Sequence, residues 1–147
     1  MTVKNKNRFD DFFENEKYVS LKNYSYNYRL RKRAVERAMR AEEKDLVLEI
    51  GSGISPIFTS WDRVMYSDVS SSALKMLKKI HGRGQYVVAD AMNLPFQDGM
   101  FSHVIASEVL EHLEDDRRAL SEIARVAKPG GILIVTFPHR RFYFGHD

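Results

Sequence analysis

Acidic and small residues recur at comparable places along this chain. Glu49 stands just before Gly51 and Gly53 in "VLEIGSGIS", Asp68 closes "RVMYSD", Asp90 closes "QYVVAD", and Ser107 and Glu108 end and follow "SHVIAS". Glycines at 51 and 53 let the backbone turn tightly and approach a ligand without a Cβ penalty. Carboxylates spread over several strand ends are acceptors for a ligand that carries a cationic amine, ribose hydroxyls and an exocyclic adenine amine. Other ligands of glycine-rich turns fit less well. A nicotinamide or flavin fingerprint wants a small residue where Pro56 stands, and a triphosphate loop wants Gly-Lys-Ser or Gly-Lys-Thr, whereas no lysine lies near this turn.

The elements that must position these residues alternate. Leu30, Ala34, Val35, Ala38 and Met39 recur at helical spacing among arginines and Lys32, which predicts an amphipathic helix. "LVLEI" reads as the first strand, and Ser55 with Pro56 as the cap and first turn of a short helix after it. The second strand ends at Asp68; Ser70 or Ser71 then caps a helix with Leu74, Leu77 and Ile80 inward and Lys75, Lys78 and Lys79 toward water. "QYVVAD" and "SHVIAS" are the third and fourth strands. A helix over about Asp116 to Ala127, with Leu120, Ile123, Ala124 and Ala127 on one face, is stopped by "KPGG" before the fifth strand, "ILIVTF". Apolar strands alternating with helices predict an α/β fold: a mostly parallel sheet with helices on both faces, and a ligand crevice beyond the carboxyl ends of the strands.

With 147 residues, 44% of them hydrophobic, the chain suits one globular domain, and 23 basic against 20 acidic residues name no partner by charge. The absence of cysteine removes disulfide and thiolate chemistry. We read no signal peptide and no membrane span, and expect a cytoplasmic protein. We expect an N-terminal helical cap over residues 1–44 and the ligand-binding domain over 45–147.

From about Asp45 to Pro138 the chain resembles the class I S-adenosylmethionine-dependent methyltransferases, in particular the broad type 11 group that acts mainly on small molecules. "LEIGSGIS", "YSDVSSSAL", "VVADAMNLPFQDGMFSHVIASEVLEHL" and "ARVAKPGGILIVTFP" carry the resemblance, in the family's order. It implies a Rossmann-like sheet that is C-terminally incomplete relative to the seven-stranded family fold. It also implies S-adenosyl-L-methionine as cofactor, with S-adenosyl-L-homocysteine as product, and a small-molecule acceptor. By the same pattern Gly51, Ser52 and Gly53 would lie against the methionyl part with Glu49 nearby. Asp68, followed by Val69, would take the ribose hydroxyls, and Asp90 the adenine amine, with Ala91 and Met92 flanking the ring. Ser107 and Glu108 would lie near the sulfonium and the entering acceptor. Ser55 stands where many members have a third glycine, which bears on the length of the first crossover helix.

Methyl transfer needs alignment above all, and a general base adds roughly 10²–10⁴-fold for an acceptor of high pKa; His112 and His139 are the candidates. Glu108, Glu111 and His112 stand at i, i+3 and i+4, a face that in a helix would suit a metal, as in small-RNA 2′-O-methyltransferases. We nevertheless expect no metal, and an RNA substrate is the third reading after a small-molecule enzyme and a cofactor-binding domain inactive alone. Tyr24, Tyr26 and Tyr28 either close the site or pack on the core. The sequence stops at "FPHRRFYFGHD" where family members continue, so "ILIVTF" is expected to form an open edge and to support a homodimer.

Overall fold

The computed structural model describes residues 26–40, 42 and 44–138. Helix α1 (Tyr26–Met39) is followed by β1 (Val47–Ile50), β2 (Val64–Asp68), α2 (Ser71–His81), β3 (Gln85–Val88), β4 (Phe101–Ser107), a 3₁₀ turn (Leu110–His112), α3 (Asp116–Val126) and β5 (Ala127–Thr136). The strands form one sheet in the order β3-β2-β1-β4-β5, with every pairing parallel. β1, at the centre, is buried at every position, which explains why an almost unbroken apolar run was needed there.

Two cores follow from the two faces. Leu48, Ile50, Met65, Phe101 and Val104 pack with Ala119, Ile123 and Val126 of α3 on one side. Val47, Val64, Tyr66 and Ile105 pack with Tyr28, Val35 and Met39 of α1 and Leu74 and Leu77 of α2 on the other. Of the two candidate caps of α2, Ser70 is the cap, its hydroxyl accepting the Ala73 N–H; Gly82 ends the helix at φ 70°.

Several expectations are corrected. No helix opens at Ser55 and Pro56; residues 51–63 form an irregular connection. Its amides find a partner that local sequence cues do not encode, the buried Glu49 carboxylate, which accepts the N–H groups of Ile57 at 2.6 Å and Phe58 at 3.0 Å. Helix α1 buries Val35 and Met39 as expected, but Leu30, Ala34 and Ala38 are exposed and Tyr28 joins the buried face instead. The Tyr28 hydroxyl turns inward because it donates to the Pro56 carbonyl at 2.7 Å. Ile80 and Leu120 also face outward, the latter beside the narrow Ala119–Ile123–Val126 stripe. "KPGG" does not precede β5 but lies within its span. Phe101 pairs with Ala127 and His103 already with Ile132, so Lys128 to Gly131 bulge out of the ladder.

Candidate functional site

The register brings the carboxyl ends of the strands level. Ile50 is paired with Ser67 and Ala106, Asp68 with Val88, and Ser107 with Thr136, so the loops after β1, β2, β3 and β4 emerge along one rim. A cavity of about 210 Å³ opens there, lined by Arg31, Gly51, Ser52, Ser55, Ile57, Ser107, Glu108 and His112.

The loop after β1 is shaped by positive backbone angles at Gly51 (φ 66°) and Gly53 (φ 53°). A Cβ on Gly51 would lie 2.4 Å from Cγ2 of Val109, in the loop after β4, so the two loops meet where only glycine fits. Asp68 ties its own loop to this turn: one carboxylate oxygen accepts the Gly53 N–H at 2.8 Å and the other accepts the Ser70 N–H at 2.9 Å. Asp90 closes a turn of its own, accepting the Met92 N–H at 2.8 Å while its carbonyl takes the Asn93 N–H at 2.9 Å. That turn is braced from α3, where Arg118 Nε donates to the Met92 carbonyl at 2.9 Å. Farther along the same loop, Arg125 donates to the carbonyls of Phe96 (2.7 Å) and Leu94 (2.9 Å).

The loop after β4 carries a strained residue. Glu108 has φ 54°, unusual for any side chain other than glycine, asparagine or aspartate. Its N–H is held by the Thr136 carbonyl at 2.9 Å, and its carboxylate forms an ion pair with the Arg31 guanidinium. Ser107 and Thr136 hydroxyls bond at 2.8 Å, so the end of β5 steadies the end of β4. Because Glu108 precedes the 3₁₀ turn and is not helical, Glu108, Glu111 and His112 do not form the helical face that their spacing suggested. Among the described residues no cluster of three histidine, cysteine or acidic side chains could hold a metal ion.

Of the sequence-predicted residues, Gly51, Ser52, Ser107, Glu108 and His112 line the cavity together. Gly53, Asp68, Val69, Asp90, Ala91 and Met92 lie in the same rim of loops without lining it, and Glu49 is buried beneath the first loop with 2% of its surface exposed. His112 stands at the mouth, its side chain 65% exposed and 3.9 Å from Glu111. His139 and Tyr24 lie outside the described residues. Tyr26 is exposed and Tyr28 packs in the core, where burial, and after it the nearby Glu49 carboxylate, push its phenol up to about 12. Arg31 and Ile57 were not foreseen, whereas Ser55, expected as a helix cap beside the crevice, lines it. Arg31 had a signal, since it stands three residues after the buried Tyr28 and four before the buried Val35, but the helix face assigned from leucine and alanine spacing concealed it.

The residues present fit a ligand with a polar amino-acid end: Gly51 lines the cavity, and Ser52 Oγ, Ser55 Oγ and Arg31 Nε are buried with no hydrogen-bond partner. Comparison with known proteins agrees. Residues 48–135 match the family model described as "Methyltransferase domain". The demethylmenaquinone methyltransferase of Streptomyces griseus is 33% identical over 111 residues, which span 73% of this chain and 48% of that protein. Among solved structures, a chain from the Haloferax volcanii complex with the Trm112 methyltransferase activator superposes with a TM-score of 0.76 at 23% identity, covering 86% of this chain and 58% of that one. The [4+2]-cyclase SpnF superposes with a TM-score of 0.64 at 26% identity, covering 75% of this chain and 44% of that one. The chain thus spans about half the length of the curated relatives it matches. With its parallel five-stranded sheet and its glycine loop beside a strand-end cavity, the chain belongs to the methyltransferase-domain family of the class I, Rossmann-like fold.

Proposed function

We propose that the chain binds S-adenosyl-L-methionine, the family's cofactor, and transfers its methyl group to a small-molecule acceptor. The observation that carries this reading is the cavity between the Gly51 loop and the Ser107–Glu108 corner, lined by buried polar atoms that have no partner within the protein. In this reading Asp68 and Val69 border the ribose, and Asp90, Ala91 and Met92 border the adenine. The turns that Asp68 and Asp90 close hold those carboxylates beside the rim, which supports both assignments.

S-adenosyl-L-methionine supplies a methyl carbon already activated by a sulfonium. When bound, it would give up that methyl to the acceptor and leave as the neutral thioether, with the acceptor's proton going to a base or to water. What the protein contributes is alignment, through the braced loops after β1 and β4. His112 is exposed at the cavity mouth, where it is placed to receive the acceptor's proton. The acceptor reading is supported by relatives named for quinone and tocopherol methylation.

A second reading is a cofactor-binding domain that is inactive alone; the match covers about half of the demethylmenaquinone methyltransferases it resembles. The exposed Leu133 and Phe137 on and beyond the edge strand β5 support self-association on that side. The setting in this reading is cytoplasmic; no described helix is long and apolar enough to cross a membrane.

Calorimetric titration with S-adenosyl-L-methionine and S-adenosyl-L-homocysteine, with NAD as control, tests the proposal. Micromolar-range binding that is lost in Asp68→Ala and absent for NAD is expected, and no binding would refute it. Binding without turnover over a panel of quinols, phenols and amines would favour the second reading.

A further inference from the structure

We propose that Arg31 of α1 is the residue that holds the carboxylate of the methyl donor's amino-acid end, with Glu108 beside it receiving the ammonium. This assignment rests on the donor reading above and adds to it a residue that lies outside the family match at 48–135.

The argument begins with the orphaned atoms. Among the described residues four buried side-chain atoms have no hydrogen-bond partner; three of them, Arg31 Nε, Ser52 Oγ and Ser55 Oγ, belong to residues that line this cavity. Ser52 is 2% exposed and Ser55 5%, so bulk water does not readily satisfy these hydroxyls. Their chemistry is directional. The guanidinium only donates, and the two hydroxyls can donate, so the three converge on a group with several acceptor lone pairs, which a carboxylate supplies.

The opposite sign is provided next to them. Glu108 lines the same cavity, and its carboxylate already pairs with Nη1 of Arg31. A ligand that brings an ammonium together with a carboxylate meets both charges, so neither is stranded on binding. The loops set the rest. Gly53, Asp68 and Asp90 stand along the same rim outside the cavity lining, which leaves that side for the nucleoside.

The test compares ligands that differ at this end. Wild-type protein and Arg31→Gln are titrated calorimetrically with S-adenosyl-L-homocysteine, with decarboxylated S-adenosylmethionine, which keeps the amine, and with 5′-methylthioadenosine, which has neither group. Wild type should bind S-adenosyl-L-homocysteine about 10- to 100-fold more tightly than either probe. Arg31→Gln should remove most of the preference over decarboxylated S-adenosylmethionine, keep the ammonium's part of the preference over 5′-methylthioadenosine, and leave 5′-methylthioadenosine binding within about twofold. Equal weakening of all ligands in Arg31→Gln would overturn the proposal, because Arg31 would then act only through packing. Wild-type affinity for 5′-methylthioadenosine equal to that for S-adenosyl-L-homocysteine would overturn it too while leaving the donor reading standing. A wild-type protein that binds none of the three would overturn the donor reading and this assignment with it. Should Arg31→Gln fail to fold, the wild-type comparison decides alone.

Discussion

Glu49 separates two accounts of the glycine loop. The family resemblance places it near the methionyl group, whereas in the structure its buried carboxylate accepts the N–H groups of Ile57 at 2.6 Å and Phe58 at 3.0 Å. If those bonds hold the irregular connection in shape, stability should depend on them. A hydrogen bond to a charged group contributes about 1.5–3 kcal/mol, so Glu49→Ala, which orphans both amides, should cost about 3–6 kcal/mol. Glu49→Gln keeps the shape and one acceptor oxygen but sets an NH₂ against the second amide, and should cost about 2–3 kcal/mol. Against a typical stability of about 5–15 kcal/mol, both losses are readily measured. Guanidinium denaturation followed by circular dichroism at pH 7 gives the values, and an unchanged slope would show that the unfolded state is unaltered. A Glu49→Gln protein within about 0.5 kcal/mol of wild type would refute the reasoning. If that same protein had also lost S-adenosyl-L-homocysteine binding, Glu49 would be a ligand contact and not a loop anchor.

Gly51→Ala must adopt φ 66° and place its Cβ 2.4 Å from Val109, so we expect a loss of about 1–3 kcal/mol together with weaker cofactor binding; Gly130→Ala, at φ 76° with nothing within 4 Å, is the control that should cost only about 1 kcal/mol and leave binding intact. Melting curves and titrations on the pair check this. Arg125→Ala frees the Leu94 and Phe96 carbonyls and disturbs Glu122, which accepts the Leu94 N–H, so hydrogen exchange at the Leu94 amide should accelerate. Tyr28 is raised from 10.0 to about 12 chiefly by burial, so the fold favours the protonated phenol. The unfolded chain binds fewer protons above pH 10, so that stabilisation is complete below pH 10 and lost as pH rises toward about 12. Denaturation at pH 9 and pH 11.5 should show a smaller alkaline loss in Tyr28→Phe than in wild type, with a residual loss from Tyr66, whose phenol burial also raises.

The strands were legible because few alternatives exist for "VLEI" or "SHVIAS": short apolar runs, at the centre of the chain's pattern, must be buried on both faces. Ser70 was legible for the same local reason, since a cap is a matter of a few neighbouring residues. The connection 51–63 was not. Ser55 followed by Pro56 fits a helix start as well as a loop, and the choice is made by a carboxylate eight and nine residues upstream. Arg31 was missed because an arginine in a helix is normally counted toward water, and nothing local reveals that Glu108 waits on the other side. Glu108 itself was read as the start of a helical face, an assignment that its positive φ and its bond to Thr136 of β5 prevent.

These misses concern one joint. Helix α1 lies outside the family match, yet within two turns it ties down both loops of the cavity. Tyr28 donates to Pro56 at 2.7 Å and Lys32 to Thr59 at 2.7 Å in the connection after β1, while Arg31 pairs with Glu108 after β4. The core between the sheet and α3 contains no residue of α1, whereas the core on the sheet's other face includes Tyr28, Val35 and Met39. The helix is therefore packed as part of the fold on one face and held against the site by its polar residues on the same stretch. Substitutions at Tyr28, Arg31 or Lys32 act on the distance between two loops that share a cofactor, whereas substitutions in the α3 core act on the sheet that carries both loops together. Affinity and stability should then divide between the two faces, and the part of the site that the family pattern does not reach is the part that this chain sets for itself.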